Sequence, residues 1–329
     1  MKAKFITIIF TIMVALQMQG DTTSTILGDV DGDSSVDIND VTTLIDYVLG
    51  KNPLVITVNA DVNKDGFIDI NDVTILIDYV LGKIDFPTEE DEEFTVNGVT
   101  FTMVYVEGGT FMMGATEEQG YDVSDRERPT HQVTLSSYRI GQTEVTQALW
   151  HAVMGENPSY FSSNGNHHPV ENISWNDCQT FISALNQLTG RHFRLPTEAE
   201  WEFAARGGNE SIGFKYSGSD NLVEVGWYSY NDSWEFKGTG VYGTHTVATR
   251  TCNELMLYDM SGNVHEWCND WYANYESANQ TNPTGPSTGT NKVYRGGSWY
   301  FDEWFSRVSF RNSVSPSYRS YGIGLRLAL

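Results

Sequence analysis

Residues 194–208 read RLPTEAEWEFAARGG. Thr197 followed three residues later by Glu200 is a capping box: the hydroxyl takes a backbone N–H of the first turn and the carboxylate returns to the cap. The helix so started ends at Gly207. Capping alone accounts for Thr197 and Glu200, and Trp201 reads as packing. The same grammar recurs upstream. SWNDCQTFISALNQLTG opens on Ser174 with Asp177 as its box partner, and TQALWHAVMG starts after Thr146. Further back, VTFTMVYVEGGTFMMG alternates apolar and polar residues around Gly108-Gly109, as strand, turn and strand. From Gly213 on the chain is rich in Gly, Asn, Ser, Trp and Tyr, with little periodicity. Three helices, a few strands and many ordered loops suit an α+β domain.

The whole chain has 329 residues, enough for this domain and a smaller one before it. Lys2 and Lys4 precede the apolar run FITIIFTIMVAL (5–16), and small polar residues follow. Residues 1–20 read as a signal peptide; an uncleaved anchor is the alternative, but twelve apolar residues fall short of a bilayer. The exported protein is then expected to be secreted or held at the cell surface. Residues 21–93 carry 18 acids against 3 bases. So acidic a segment repels nucleic acid and needs a cation. Cys178, Cys252 and Cys268 allow one internal disulfide, with Cys252–Cys268 nearest in sequence, or buried free thiols.

The acidic segment is a repeat. DVDGDSSVDINDVTTLIDYVLGK (29–51) returns as DVNKDGFIDINDVTILIDYVLGK (61–83), identical at 17 of 23 positions. Oxygen side chains fall at loop positions 1, 3, 5, 9 and 12. They are Asp29, Asp31, Asp33, Asp37 and Asp40, then Asp61, Asn63, Asp65, Asp69 and Asp72. Ser35 and Phe67 would add backbone carbonyls at position 7. Such alternation wraps hard oxygens round one calcium ion. Gly66 takes the turn at position 6; Ser34 replaces it in the first copy. After each loop, apolar residues at i, i+3, i+4, i+7 and i+8 mark one helix, Val41 to Leu49 and Val73 to Leu81.

Loop plus single helix, twice, with Asp at position 12, resembles a dockerin over residues 28–84. The resemblance implies a small all-α unit (26–85) with two calcium ions and a cohesin-bearing protein as partner. In that family loop positions 10 and 11 read the partner, here Ile38 with Asn39 and Ile70 with Asn71. The near identity of the copies would let either present the same face. FPTEEDEE and its neighbour, residues 86–94, read as an acidic linker to a domain over 95–329.

In that domain GGTFMMG, HPVENISW (168–175), RLPTEAEWEFAARGG, LYDMSGNVHEWCNDWY (257–272) and RGGSW (295–299) stand in one order. Together they resemble the formylglycine-generating enzyme and sulfatase-modifying-factor family. The resemblance implies a C-type-lectin-like α+β fold with much irregular structure. It also implies calcium at Asp259, Gly262, Val264 and Glu266, two carboxylates and two carbonyls round a tight turn; a plain Ser-Gly-Asn turn is the alternative. The family's oxidases hold copper(I) with two cysteines placed six and eleven residues after the RGGS arginine. Those positions are Phe301 and Ser306 here, and neither offers the thiolate that copper(I) prefers. No copper site is expected, though Ser298 matches the serine beside the family's active site.

Three function classes follow. The leading one is a binding module in an extracellular or cell-surface polysaccharide-processing complex, tethered by the dockerin. Its ligand surface would comprise Ser298, Trp299, Tyr300, Asp302, Glu303 and Trp304, where aromatics and acids suit a glycan or a basic peptide. Burial of Trp299 and Trp304 in the core is the competing expectation. The other classes are an oxidoreductase of another kind and a formylglycine-generating oxidase of sulfatase cysteine working without thiolates.

Overall fold

The protein is described by a computed structural model covering residues 26–52, 59–62, 68–83, 90–229 and 243–329. The signal peptide expected over 1–20 and loop residues Asn63, Asp65 and Phe67 lie outside them. The chain forms two compact units, Met1–Pro87 and Thr88–Leu329. Among the described residues no helix is long and apolar enough to cross a membrane.

Among its described residues the first unit has two helices, α1 (Ile38–Val48) and α2 (Ile70–Val80). Asp37 and Asp69 cap them, each in a capping box with the aspartate three residues on, Asp40 or Asp72. The apolar stripe of each helix meets the other over Val41, Leu44, Val73 and Leu76, with Val30, Ala60 and Val62 from the loops. So small a core is marginal by itself.

The second unit is α+β, with three sheets and three principal helices among its described residues. Strands β1 (Glu92–Val96), β2 (Val99–Val106) and β5 (Tyr138–Gly141) form an antiparallel sheet in the order β1-β2-β5. Glu92, Glu93 and Phe94, expected in the linker, therefore belong to a strand, with Phe94 in the core. Strands β3 (Gly109–Met113) and β4 (His131–Leu135) pair in a second sheet with β7 (Gln280–Thr281). The strand–turn–strand at 99–113 is thus no hairpin: Gly108 passes the chain from one sheet to the next. A methyl there would sit 2.6 Å from the Leu135 carbonyl oxygen, so glycine is required. Helices α3 (Gln147–Met154), α4 (Trp175–Thr189) and α5 (Glu198–Ala205) start at the caps Thr146, Ser174 and Thr197, the last two with their expected box partners.

The third sheet was not legible in the sequence. Strands β6 (His265–Trp271), β8 (Lys292–Arg295), β9 (Arg311–Val314) and β10 (Ile323–Gly324) lie in the order β10-β6-β8-β9. HEWCND is buried at five of six positions, so no alternation marks it. Trp201 and Trp267 fill separate apolar clusters. Cys178, Cys252 and Cys268 are all free thiols, which closes the disulfide alternative.

Buried ion pairs tie the sheet to α5. Arg295 meets Glu198 at 2.9 Å and Glu202 at 2.5 Å, while Arg311 grips Glu198 through two bonds of 2.7 and 2.6 Å. Arg206 takes the other Glu202 oxygen at 2.7 Å. Each carboxylate faces guanidinium, which holds Glu198 below the usual range in spite of its burial. These pairs fix the start of the RGGS segment.

Candidate functional site

The chain leaves β8 at Arg295 and turns through Gly296 and Gly297, both with positive φ (94° and 76°). A methyl on Gly297 would lie 2.2 Å from Ser306 Oγ, so only glycine lets the returning chain pack this closely. Asp302 then caps a short 3-10 turn, Glu303–Ser306, by accepting the Trp304 N–H at 3.0 Å.

This turn sorts the expected ligand surface. Ser298 and Trp299 are buried, Trp299 with 1% of its surface exposed and its indole N–H bonded to the Tyr321 carbonyl at 3.1 Å. Neither lines a surface, because the glycine bend throws the next side chains inward. Trp304 is half-buried: its indole N–H donates to the Asp122 carbonyl at 2.7 Å and its ring meets Phe305, Phe310 and the Arg307 guanidinium. Tyr300, Asp302 and Glu303 are exposed.

Two residues absent from the sequence reading complete the face. Tyr160 (69% exposed) and Tyr321 (42%) stand 5.7 Å apart, and Tyr321 lies 6.2 Å from Tyr300 (50%). Phe301 (36%) continues the row 5.7 Å beyond Tyr300. Trp299 and Phe161 support these rings from below, edge to face at 5.3 Å. Three loops far apart in sequence thus make one aromatic surface that includes Phe301. Isolated tyrosines in Gly/Asn/Ser loops carry no periodic signal, so only the fold assembles them.

Beneath the face lie polar groups with no partner among the described residues: Ser298 Oγ, Ser306 Oγ, His265 Nδ1 and Glu171 Oε2. Burial lowers the basicity of His265 to about 3 and raises the Glu171 carboxyl to about 7, although Glu171 Oε1 accepts the Phe161 N–H at 2.9 Å.

The second expected site surrounds the turn at Gly262. Asp259, at φ 58°, accepts the Ala248 N–H on Oδ2 at 2.7 Å, while its buried Oδ1 has no donor among the described residues. Burial raises its carboxyl to about 6. Glu266 is engaged on both oxygens, by Arg326 at 2.7–3.1 Å and by the Trp201 indole at 2.6 Å. Val264 donates its N–H to Glu144, and Gly262 donates to the Gly296 carbonyl. Glu144, also unforeseen, is buried; burial and then the nearby Asp259 and Glu266 hold its carboxyl well above the usual range. Three buried carboxylates, Glu144, Asp259 and Glu266, act on Arg326, and Asp259 also on Arg250, which leaves more carboxylates than guanidinium groups and suits a cation.

In the first unit, the ligand atoms of Asp29, Asp31 and Asp40 lie within 4.8 Å of one another. Asp29 accepts the Gly32 and Ser34 N–H groups, and Ser34 holds φ 73° where its copy has glycine. Asp40 accepts the N–H groups of Val30, Asp31 and Asp37. Asp33 accepts from Ser35 and Asp37 from Asn39, so the loop winds inward as a chain of Asx turns. Partial burial and then the Asp40, Asp33 and Asp29 carboxylates raise Asp31. In the second copy Asp72 repeats the Asp40 pattern toward Val62 and Asp69. Ile38 with Asn39 and Ile70 with Asn71 are exposed at the two helix starts.

Known proteins share these features. Residues 88–329 match the sulfatase-modifying factor enzyme 1-like domain and residues 27–81 the dockerin type I domain. The chain is 32% identical to the chaperone protein LppX of Paenibacillus barcinonensis, over 70% of this chain and 89% of that one. It is 31% identical to the formylglycine-generating enzyme of Streptomyces coelicolor, over 68% and 88%. Among solved structures, Treponema denticola variable protein 1 superposes with a TM-score of 0.64 at 32% identity, covering 73% of this chain and 99% of that one. A dockerin thus precedes the large domain, and the chain belongs to the sulfatase-modifying factor enzyme 1-like family.

Proposed function

We propose that the large unit is a binding module for a glycan or peptide, carried by the dockerin to a cohesin-bearing protein outside the cell or on its surface. One observation carries this reading: where the family resemblance expects two thiolates the chain has Phe301 and Ser306, and Phe301 belongs to an exposed aromatic face with Tyr160, Tyr300 and Tyr321. Aromatic faces stack on sugar rings or apolar side chains. A buried serine hydroxyl offers no soft donor for copper(I).

Calcium fits the first unit. Asp29, Asp31 and Asp40 would hold one ion with Asp33, Asp37 and the Ser35 carbonyl, and Asp61, Asn63, Asp65, Asp69, Asp72 and the Phe67 carbonyl the other. A third would lie beside Asp259, where a buried carboxylate oxygen lacks a donor and Glu144 adds charge. A leader at 1–20 accords with an extracellular site. The exposed Ile-Asn pairs at both helix starts support either copy as the cohesin-facing surface.

The test incubates the purified protein with copper(I), oxygen and a peptide bearing the Cys-x-Pro-x-Arg motif, followed by mass spectrometry. The peptide is expected to keep its cysteine, also after calcium loading. Conversion to formylglycine would return the domain to the oxidases.

A further inference from the structure

Resting on the reading of the aromatic face as a binding surface, we propose that its ligand is a neutral carbohydrate, and that Ser298, Ser306 and His265, roofed by Phe301, select it by hydrogen-bonding one sugar hydroxyl. The three side chains are at least nine-tenths buried, and Ser298 Oγ, Ser306 Oγ and His265 Nδ1 have no partner among the described residues. Orphaned buried polar atoms are rare and costly, so a group of them calls for an occupant.

They gather at one place in the fold. Ser306 Oγ lies against Gly297, and Ser298 Oγ against Gly322, where a methyl would come within 3.1 Å. His265 donates its backbone N–H to the Gly322 carbonyl at 2.9 Å. Phe301 covers the group: its ring is 5.2 Å from the His265 ring, and its N–H bonds the Ser298 carbonyl at 3.1 Å. Of these four residues only Phe301 is exposed, so its ring separates the three polar groups from the aromatic face.

The chemistry chooses between the two ligand classes. A cationic peptide needs carboxylates at the point of recognition. The groups under Phe301 are two hydroxyls and an imidazole that burial keeps neutral, and the Glu171 carboxyl, also beneath the face, is pushed by burial toward its neutral form, to about 7. A sugar hydroxyl both donates and accepts, as do these partners. Of the two exposed acids, Asp302 already caps the 3-10 turn.

Titration calorimetry on the full chain with calcium would use four probes: cellohexaose, xylohexaose, mannohexaose and hexalysine. We expect at least one hexasaccharide to bind more tightly than hexalysine. Tyr300→Ala with Tyr321→Ala should abolish binding. Ser298→Ala with Ser306→Ala should weaken it about ten-fold, from two lost hydrogen bonds, with Tm unchanged or raised because unpaired hydroxyls are removed. Phe301→Ala should keep the bias against hexalysine. If the serine pair binds like the parent while the tyrosine pair fails, the pocket holds only water and the inference falls alone. A Tm drop of several degrees in the serine pair would make those hydroxyls structural and overturn it too. Tighter hexalysine binding overturns the carbohydrate assignment, and no binding by any probe overturns both readings.

Discussion

Glu171 shows what a single residue contributes under the aromatic face. Its carboxyl is buried, one oxygen takes the Phe161 N–H, the other has no partner among the described residues, and burial raises it from 4.5 to about 7. The folded protein therefore holds a proton there that the unfolded chain has released above about 4.5. That contribution to stability is complete below 4.5 and is lost as pH rises through 7. Glu171→Gln keeps the shape without the titration. Between pH 5 and pH 8 the variant should gain about 2–3 kcal/mol relative to the parent, measured by urea unfolding of the large unit's transition. A constant difference across that range would show that Glu171 is ionised throughout. Nothing in HPVENISW distinguishes this glutamate from a surface one; its burial comes from the loops folded over it.

Among elements, α5 is the one whose start the sequence specified and whose purpose it concealed. The capping box of Thr197 and Glu200 is local chemistry, complete within four residues, and the fold keeps it. Glu198 and Glu202 sit on the same short helix yet reach Arg295 and Arg311, about a hundred residues on. Glu198→Ala should cost about 3–5 kcal/mol, because it strips the buried Arg311 guanidinium of its carboxylate and takes one of two from Arg295. Glu200→Ala removes the box partner and a pair with the partly exposed Arg194, and should cost about 1 kcal/mol. Urea denaturation of both variants checks the ranking, and equal costs would refute it. Strand β6 teaches the same lesson, since a strand buried on both faces loses the alternation by which sequence announces it.

At the scale of the whole molecule the two units should respond differently to calcium. The first has a small apolar core and loops crowded with carboxylates, so its folding is coupled to the ion. The second has two larger clusters and buried ion pairs of its own. Chelation of the full chain should remove a small part of the helical dichroism while the main thermal transition persists. Helix content unchanged by chelator would separate the first unit's fold from metal.

The sequence by itself determined what rests on short-range or repeated patterns. It set the loop–helix repeat, because ligand oxygens alternate within twelve residues, and the three capped helices, because a cap needs only its own first turn. It also set family membership, and the identities Phe301 and Ser306 are read from it directly. Only the tertiary structure decided which residues meet. It buried Trp299 and Ser298, brought Tyr160 and Tyr321 beside Tyr300, and placed Glu144 next to Asp259. Those contacts join segments tens to more than a hundred residues apart, through loops whose course follows from packing and not from local preference. Surfaces and buried charge clusters built that way leave no periodic trace in the chain.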